Sequence, residues 1–206
     1  MLPIIDIRYK KRLRLSLDQL TYSAYIKDGL EMGFLLKHQA GRKEGDNDAL
    51  QGLGNIGSTF QFGGFVKYKL KSGQIDFAYR RSMKSDYGSS AKLTLGHGLF
   101  RKGKFTLAAA LMGVWSSKKA MQTFYGVTPL QSSNSDVGLP VFITDAGISK
   151  VDMNILGLYQ VTKRVRAIGL ISFGKRFGSA KSSPLVADDR GNSNHFLTGV
   201  AFTIDF

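Results

Sequence analysis

The closing stretch HFLTGVAFTIDF, residues 195–206, sets Phe196, Thr198, Val200, Phe202, Ile204 and Phe206 on one side of an extended chain. Leu197, Gly199, Ala201, Thr203 and Asp205 fall on the other side. Side chains alternate across a strand, so this cadence sends large apolar groups into one medium and small or polar groups into another. Two readings fit the tail alone. It is a membrane-barrel strand with a lipid face, or a sandwich strand with a dry core face.

Working back from the tail, the same alternation recurs, and its repetition carries more weight than any one segment. Phe60, Phe62, Gly64, Val66, Tyr68 and Leu70 oppose Thr59, Gln61, Gly63, Phe65, Lys67 and Lys69, and Leu30, Met32, Phe34 and Leu36 oppose Glu31, Gly33, Leu35 and Lys37. Leu13, Leu15 and Leu17 interleave with polar residues and then change phase to Leu20, Tyr22, Ala24 and Ile26. The Asp18 and Gln19 pair makes a poor tight turn, so this slip reads as a bulge within one strand. Further strands are predicted at 4–9, 75–79, 91–99, 105–115, 151–161 and 165–173. The total is about ten, an even number of the kind that membrane barrels use.

Connections alternate in length. KDG at 27–29, KSG at 71–73, RKG at 101–103 and TKR at 162–164 are tight, whereas 40–57, 118–146 and 178–194 are long and rich in Gly, Ser, Asn and Asp. Short turns at one rim and long loops at the other are the habit of an outer-membrane barrel. Charges sort in the same sense. One face is almost free of them in mid-strand, and the other collects Arg14, Glu31, Lys67, Asp76, Lys92, Lys104 and Asp152. A charge facing hydrocarbon at the midplane of a barrel costs about 2–4 kcal/mol, so this face is expected to line a wet or ion-paired interior. Tyr9, Tyr68, Tyr79, Trp115 and Tyr159 fall near strand ends on the apolar face, where an aromatic girdle would lie.

Composition narrows the alternatives. With 206 residues the chain suits one domain, 1–206, and shows no obvious linker. The longest mainly apolar run without charge, residues 105–117, is too short for a membrane helix, which needs about 20 residues, and ample for a tilted strand of about 9–11. Cysteine is absent, which removes disulfides and thiolate metal sites. The start, MLPIIDIRYKKR, lacks the basic, apolar and small-residue segments of a signal peptide. The chain is therefore cytosolic, or its export signal lies upstream of Met1. A net charge of +14 asks for an anionic neighbour: nucleic acid, phosphate-rich lipid or a cell-wall polyanion.

No catalytic or cofactor motif stands out. GLGNIG at 52–57 has the letters of a dinucleotide fingerprint, yet DNDALQ precedes it and an alternating strand follows, where a buried strand and then a helix are required. It reads as a flexible loop. Asp46, Asn47 and Asp48 resemble a calcium loop, but Leu50 stands where an oxygen ligand belongs, so a solvated turn is expected. Asp188, Asp189 and Arg190 read as a loop ion pair rather than a catalytic dyad. His38, His97 and His195 are scattered over different strand ends, and no metal or cofactor is expected. Basic residues gather at turns (YKKRLR, KLK, RKGK, SSKK, TKRVR), unlike the single aromatic-interleaved groove of a nucleic-acid protein. At a barrel rim they would snorkel toward lipid phosphate or lipopolysaccharide, or simply stay solvated.

Three stretches, GRKEGDNDALQGLGNIGSTFQFGGFVKYKL, AMQTFYGVTPLQSSNSDVGLPVFITDAGI and SSPLVADDRGNSNHFLTGVAFTIDF, resemble the MipA/OmpV family of outer-membrane proteins in this order. The motif residues are Asp46, Asn47, Asp48, Gly52 and Gly54, then Tyr125, Gly126, Val127 and Pro129, then Pro184. The resemblance implies an all-β, antiparallel transmembrane barrel of about ten strands, or 10–12 with an N-terminal region that the family carries ahead of this chain. It implies the outer membrane of a Gram-negative bacterium, with lipid and lipopolysaccharide as neighbours and no nucleic acid. The terminal strand resembles a barrel assembly signal, with Phe202, Ile204 and Phe206 as its residues. For the founding member the resemblance implies a non-enzymatic scaffold joining a murein transglycosylase to a penicillin-binding protein. A narrow anion-preferring channel and a surface adhesin are the alternatives.

Overall fold

The computed structural model describes residues 6–187 and 193–204, and in it the chain is a single antiparallel meander. Its eleven strands follow one another without a crossover. They are β1 (Asp6–Tyr9), β2 (Leu13–Ser16), β3 (Gln19–Lys27), β4 (Leu30–Gln39), β5 (Thr59–Leu70), β6 (Gly73–Ser82), β7 (Ser89–Lys102), β8 (Phe105–Ser116), β9 (Gly147–Gln160), β10 (Val165–Arg176) and β11 (Asn194–Ile204). Short helices α1 (Lys118–Tyr125), α2 (Pro129–Asn134), α3 (Gly178–Ser182) and α4 (Pro184–Ala187) occupy the loops. Among the described residues β1 and β11 end the sheet without pairing with one another, and no helix is long and apolar enough to cross a membrane.

The eleventh strand corrects the reading of residues 13–26. No bulge sits at Asp18. Leu15 pairs with Leu20 across a tight connection, and β2 and β3 are separate strands. Ser16 Oγ donates to the Gln19 carbonyl at 3.0 Å, so a hydroxyl supplies the turn chemistry that Leu17 and Asp18 lack. A bulge does occur farther on, between Ser23 and Tyr25. The predicted tight turns hold. At KDG both Asp28 (φ 49°) and Gly29 (φ 82°) lie in the left-handed region that a two-residue hairpin turn demands.

Register makes the two faces explicit. One lateral row across seven strands reads Tyr68, Ile75, Leu95, Leu111, Met153, Phe173 and Phe196, and each of these side chains is exposed. One residue along each strand, the neighbouring row reads Lys67, Asp76, Thr94, Met112, Asp152, Gly174 and His195. There the side chains turn inward, and Asp152 is only 2% exposed. The tyrosines and Trp115 expected in a girdle are all exposed. Tyr9, Tyr68 and Tyr159 stand toward the tight turns, and Tyr79 and Trp115 toward the long loops. The apolar rows therefore do not make a dry core between two sheets; Phe34 is 66% exposed, whereas Leu35 behind it is 5% exposed. Lys104 is the exception to the predicted sorting, since it sits in the turn after β7.

Candidate functional site

Strand parity sends residues 40–58, 83–88, 117–146 and 177–187 to one rim, and there the described parts of the three longest loops assemble into a cap. The cap has its own small core. Leu53 from the first loop packs with Val127 and Leu139 from the second, and Leu50, Val137, Phe142 and Leu185 surround them. Met121, Val127, Thr144 and Ser183 are the largest fully buried side chains among the described residues, and all four belong to the cap.

Local chemistry explains how polar loops fold this way. Ser117 accepts from the Ala120 amide and opens α1. Thr128 and Gln131 form a reciprocal capping box around Pro129 at the start of α2, with the two hydrogen bonds at 3.0 and 3.2 Å. Gln122 on α1 then closes the loop on itself. Its Oε1 accepts from the Thr144 amide at 2.9 Å and the Thr144 hydroxyl at 3.2 Å, while Nε2 donates to the Phe142 carbonyl at 3.3 Å. Val127 and Phe142 add a two-bond bridge at 2.9 and 2.8 Å.

Links between loops are equally direct. Gln131 Nε2 donates to the Leu53 carbonyl at 2.8 Å, and Arg42 reaches the Phe124 carbonyl at 3.3 Å. Burial lowers the pKa of the Arg42 guanidinium from its ordinary value. Ser183 donates to the Tyr125 carbonyl at 2.6 Å and accepts from the Leu185 amide at 3.2 Å, which ties the third loop to the second. Gly52 has φ +81°, and a Cβ there would land on the carbonyl oxygen of Asn134.

The motif residues therefore converge only in part. Gly52, Tyr125, Val127, Pro129 and Pro184 belong to the cap and its seams, and Gly126 packs against the Gln122 side chain at the end of α1. Gly54, at φ +73°, faces open space. Asp46 and Asn47 serve the first loop's own turns, accepting from the Lys43 and Ala49 amides at 2.9 Å each, and Asp48 is exposed. GLGNIG is followed by β5, not by a helix, and is a packed corner of the cap at Gly52 and Leu53 rather than a free loop. Of the terminal residues, Phe202 points outward opposite Ala167, and Ile204 is paired with Val165. Phe206, Asp188, Asp189 and Arg190 lie outside the described residues.

Two arrangements were not legible as sites. Asp152 meets Lys150 at 2.8 Å and His195 Nε2 at 2.8 Å inside the long-loop end of the sheet. Gly174 lies between their strands, and a Cβ there would collide with both His195 and Asp152, so the missing side chain admits the contact. At the opposite rim the five tight turns gather Lys10, Lys11 and Arg12, Lys27, Lys69 and Lys71, Arg101, Lys102 and Lys104, and Lys163 and Arg164. Asp28 is the one carboxylate within those turns. The long-loop rim, by contrast, mixes its Lys and Arg with Asp18, Glu44, Asp46, Asp48, Asp86, Asp136 and Asp145. The excess positive charge of the chain is thus concentrated at the tight turns.

Compared with known proteins, residues 1–206 match the family described as MltA-interacting protein MipA. No individual curated protein matches the chain.

Proposed function

The chain belongs to the MipA family, and from that premise we propose that it is a non-enzymatic outer-membrane β-barrel that docks a murein transglycosylase at its tight-turn rim. The observation that carries the docking is the charge of that rim. Eleven cations on five adjacent turns, with Asp28 as the only carboxylate, form a surface that attracts and orients an acidic partner. The exposed apolar rows and their flanking tyrosines and Trp115 support the membrane setting, with lipid and lipopolysaccharide against the wall. In outer-membrane barrels short turns face the periplasm, where murein enzymes work. A penicillin-binding protein is the second expected partner, and Phe202, Ile204 and Phe206 are the proposed assembly signal.

Co-purification from detergent-solubilised envelopes tests the reading. A transglycosylase should accompany the tagged protein at low salt and be lost as ionic strength rises. Changing Lys10, Lys11 and Lys71 to Glu should release it while the barrel still folds. Absence of any transglycosylase or penicillin-binding protein above background would overturn the scaffold role.

A further inference from the structure

Inside the curl of the sheet, against Leu35 and Phe65, lies a cavity of about 190 Å³. Arg14, Lys67, Arg80 and Lys92 line it, and among the described residues Asp76 is the one carboxylate in its wall. Register brings them together from strands far apart in sequence. Arg14 faces Thr21, whose neighbour Leu35 lies opposite Gly63, and Gly63 in turn pairs with Arg80. Two residues along, Lys92 faces Ala78, which faces Phe65, and two residues further Lys67 faces Asp76.

Two of these cations, Arg80 and Lys92, are poorly compensated. Arg80 is 8% exposed, its Nε is buried without a hydrogen-bond partner, and among the described residues no carboxylate comes within ion-pairing distance of Arg80 or Lys92. Lys67 approaches Glu31 only at 3.9 Å and rests 4.9 Å above the Phe65 ring. Asp76 spends one oxygen on Gln74, at 2.8 Å, and its other oxygen is buried without a partner. Asp18 is the carboxylate whose charge reaches Arg80, and Asp76 the one that reaches Lys92, against the like charges of Arg80, Lys67 and Lys37 around Lys92. Holding Arg80 and Lys92 side by side in a partly dry cavity with no carboxylate in contact with either is unfavourable unless an anion neutralises them.

We infer that this cavity is a binding site for a small multivalent oxyanion of the phosphate class, with Arg80 and Lys92 as its principal ligands. A guanidinium presents a planar fork that matches two phosphate oxygens, and an ammonium adds a compact point charge beside it. Lys67 and Arg14 supply the surrounding positive field, and Asp76 limits the net charge of the wall. The volume admits a single phosphate group with its residual water, not a sugar chain. The site faces the interior and is independent of docking at the turns.

Calorimetric titration of the whole folded protein in detergent micelles, at constant chloride, tests this with inorganic phosphate in one arm and glycerol 3-phosphate in the other. Saturable one-site binding is expected, weakened about tenfold or more by Arg80→Gln and by Lys92→Gln. The turn pair Lys163→Gln with Arg164→Gln should leave it unchanged. Tighter binding in the first arm assigns the free ion, and tighter binding in the second assigns a phosphomonoester. Folding of each variant is checked by heat-dependent gel mobility, and if Arg80→Gln fails to fold, Lys92→Gln carries the test. No saturable binding of either probe, or equal loss in the turn variant, overturns the site.

Discussion

The cap and the wall of this protein solve the same problem in opposite ways. In the cap, Met121 and Val127 are withdrawn completely, and a core is closed by three loops. In the wall, most of the large apolar groups, from Phe34 to Phe173 and Phe196, point away from the protein, while Thr21, Ser23, Gln61 and Arg80 are buried around a small cluster of Leu35, Phe65 and Ala78. A side chain is stabilised by whatever medium receives it. In the proposed membrane setting the cap stands in water and must build its own apolar interior, and the wall presents its apolar surface to hydrocarbon.

That contrast can be broken from either side. Met121→Ala should cost the cap about 2–5 kcal/mol, because a fully buried side chain is truncated in a small core. Hydrogen exchange should show the loss in residues 117–146 while the amides of β5 to β8 keep their protection. Leu111→Lys should do the reverse. On the outward face at mid-strand it should lower the stability of the wall in lipid vesicles by about 2–4 kcal/mol, read from urea titrations, with little effect in the cap. If Leu111→Lys were neutral in vesicles, the outward rows would not face hydrocarbon.

Two smaller changes sharpen the comparison. Gly52→Ala forces an unfavourable φ and a clash with Asn134, and should weaken the seam between the first two loops by about 1–3 kcal/mol. Limited proteolysis in residues 40–58 would report it. Ser183→Ala removes the hydrogen bond to the Tyr125 carbonyl and should cost about 1 kcal/mol, seen as faster exchange in the third loop alone.

How much of this was legible follows from the range of the interactions. The wall was readable because a period of two is local: Phe60 to Leu70 shows which side is apolar without knowledge of the partner strand. The β2 to β3 corner was not, because Leu17 and Asp18 carry no turn signature and Ser16 does the work from outside the pair. In the cap, the Gly and Ser content of residues 118–146 concealed two helices, although the Thr128, Pro129 and Gln131 spacing held a capping box that could have located α2. Met121, Thr144 and Ser183 gave no comparable sign, since burial in the cap depends on contacts between distant segments, such as Ser183 with Tyr125 58 residues away and Thr144 with Gln122 22 residues away. The meeting of Asp152 with His195 was hidden for the same reason: it depends on the register of three strands and a gap at Gly174.

The seam from Leu53 to Leu185 acts on shape as a bowstring acts on a bow. Laid flat, six strand spacings of about 4.8 Å would hold the roots of the first and third loops about 29 Å apart. A common knot of side chains joins those loops, shortening the chord and holding the arc of strands β5 to β10 bent beneath it.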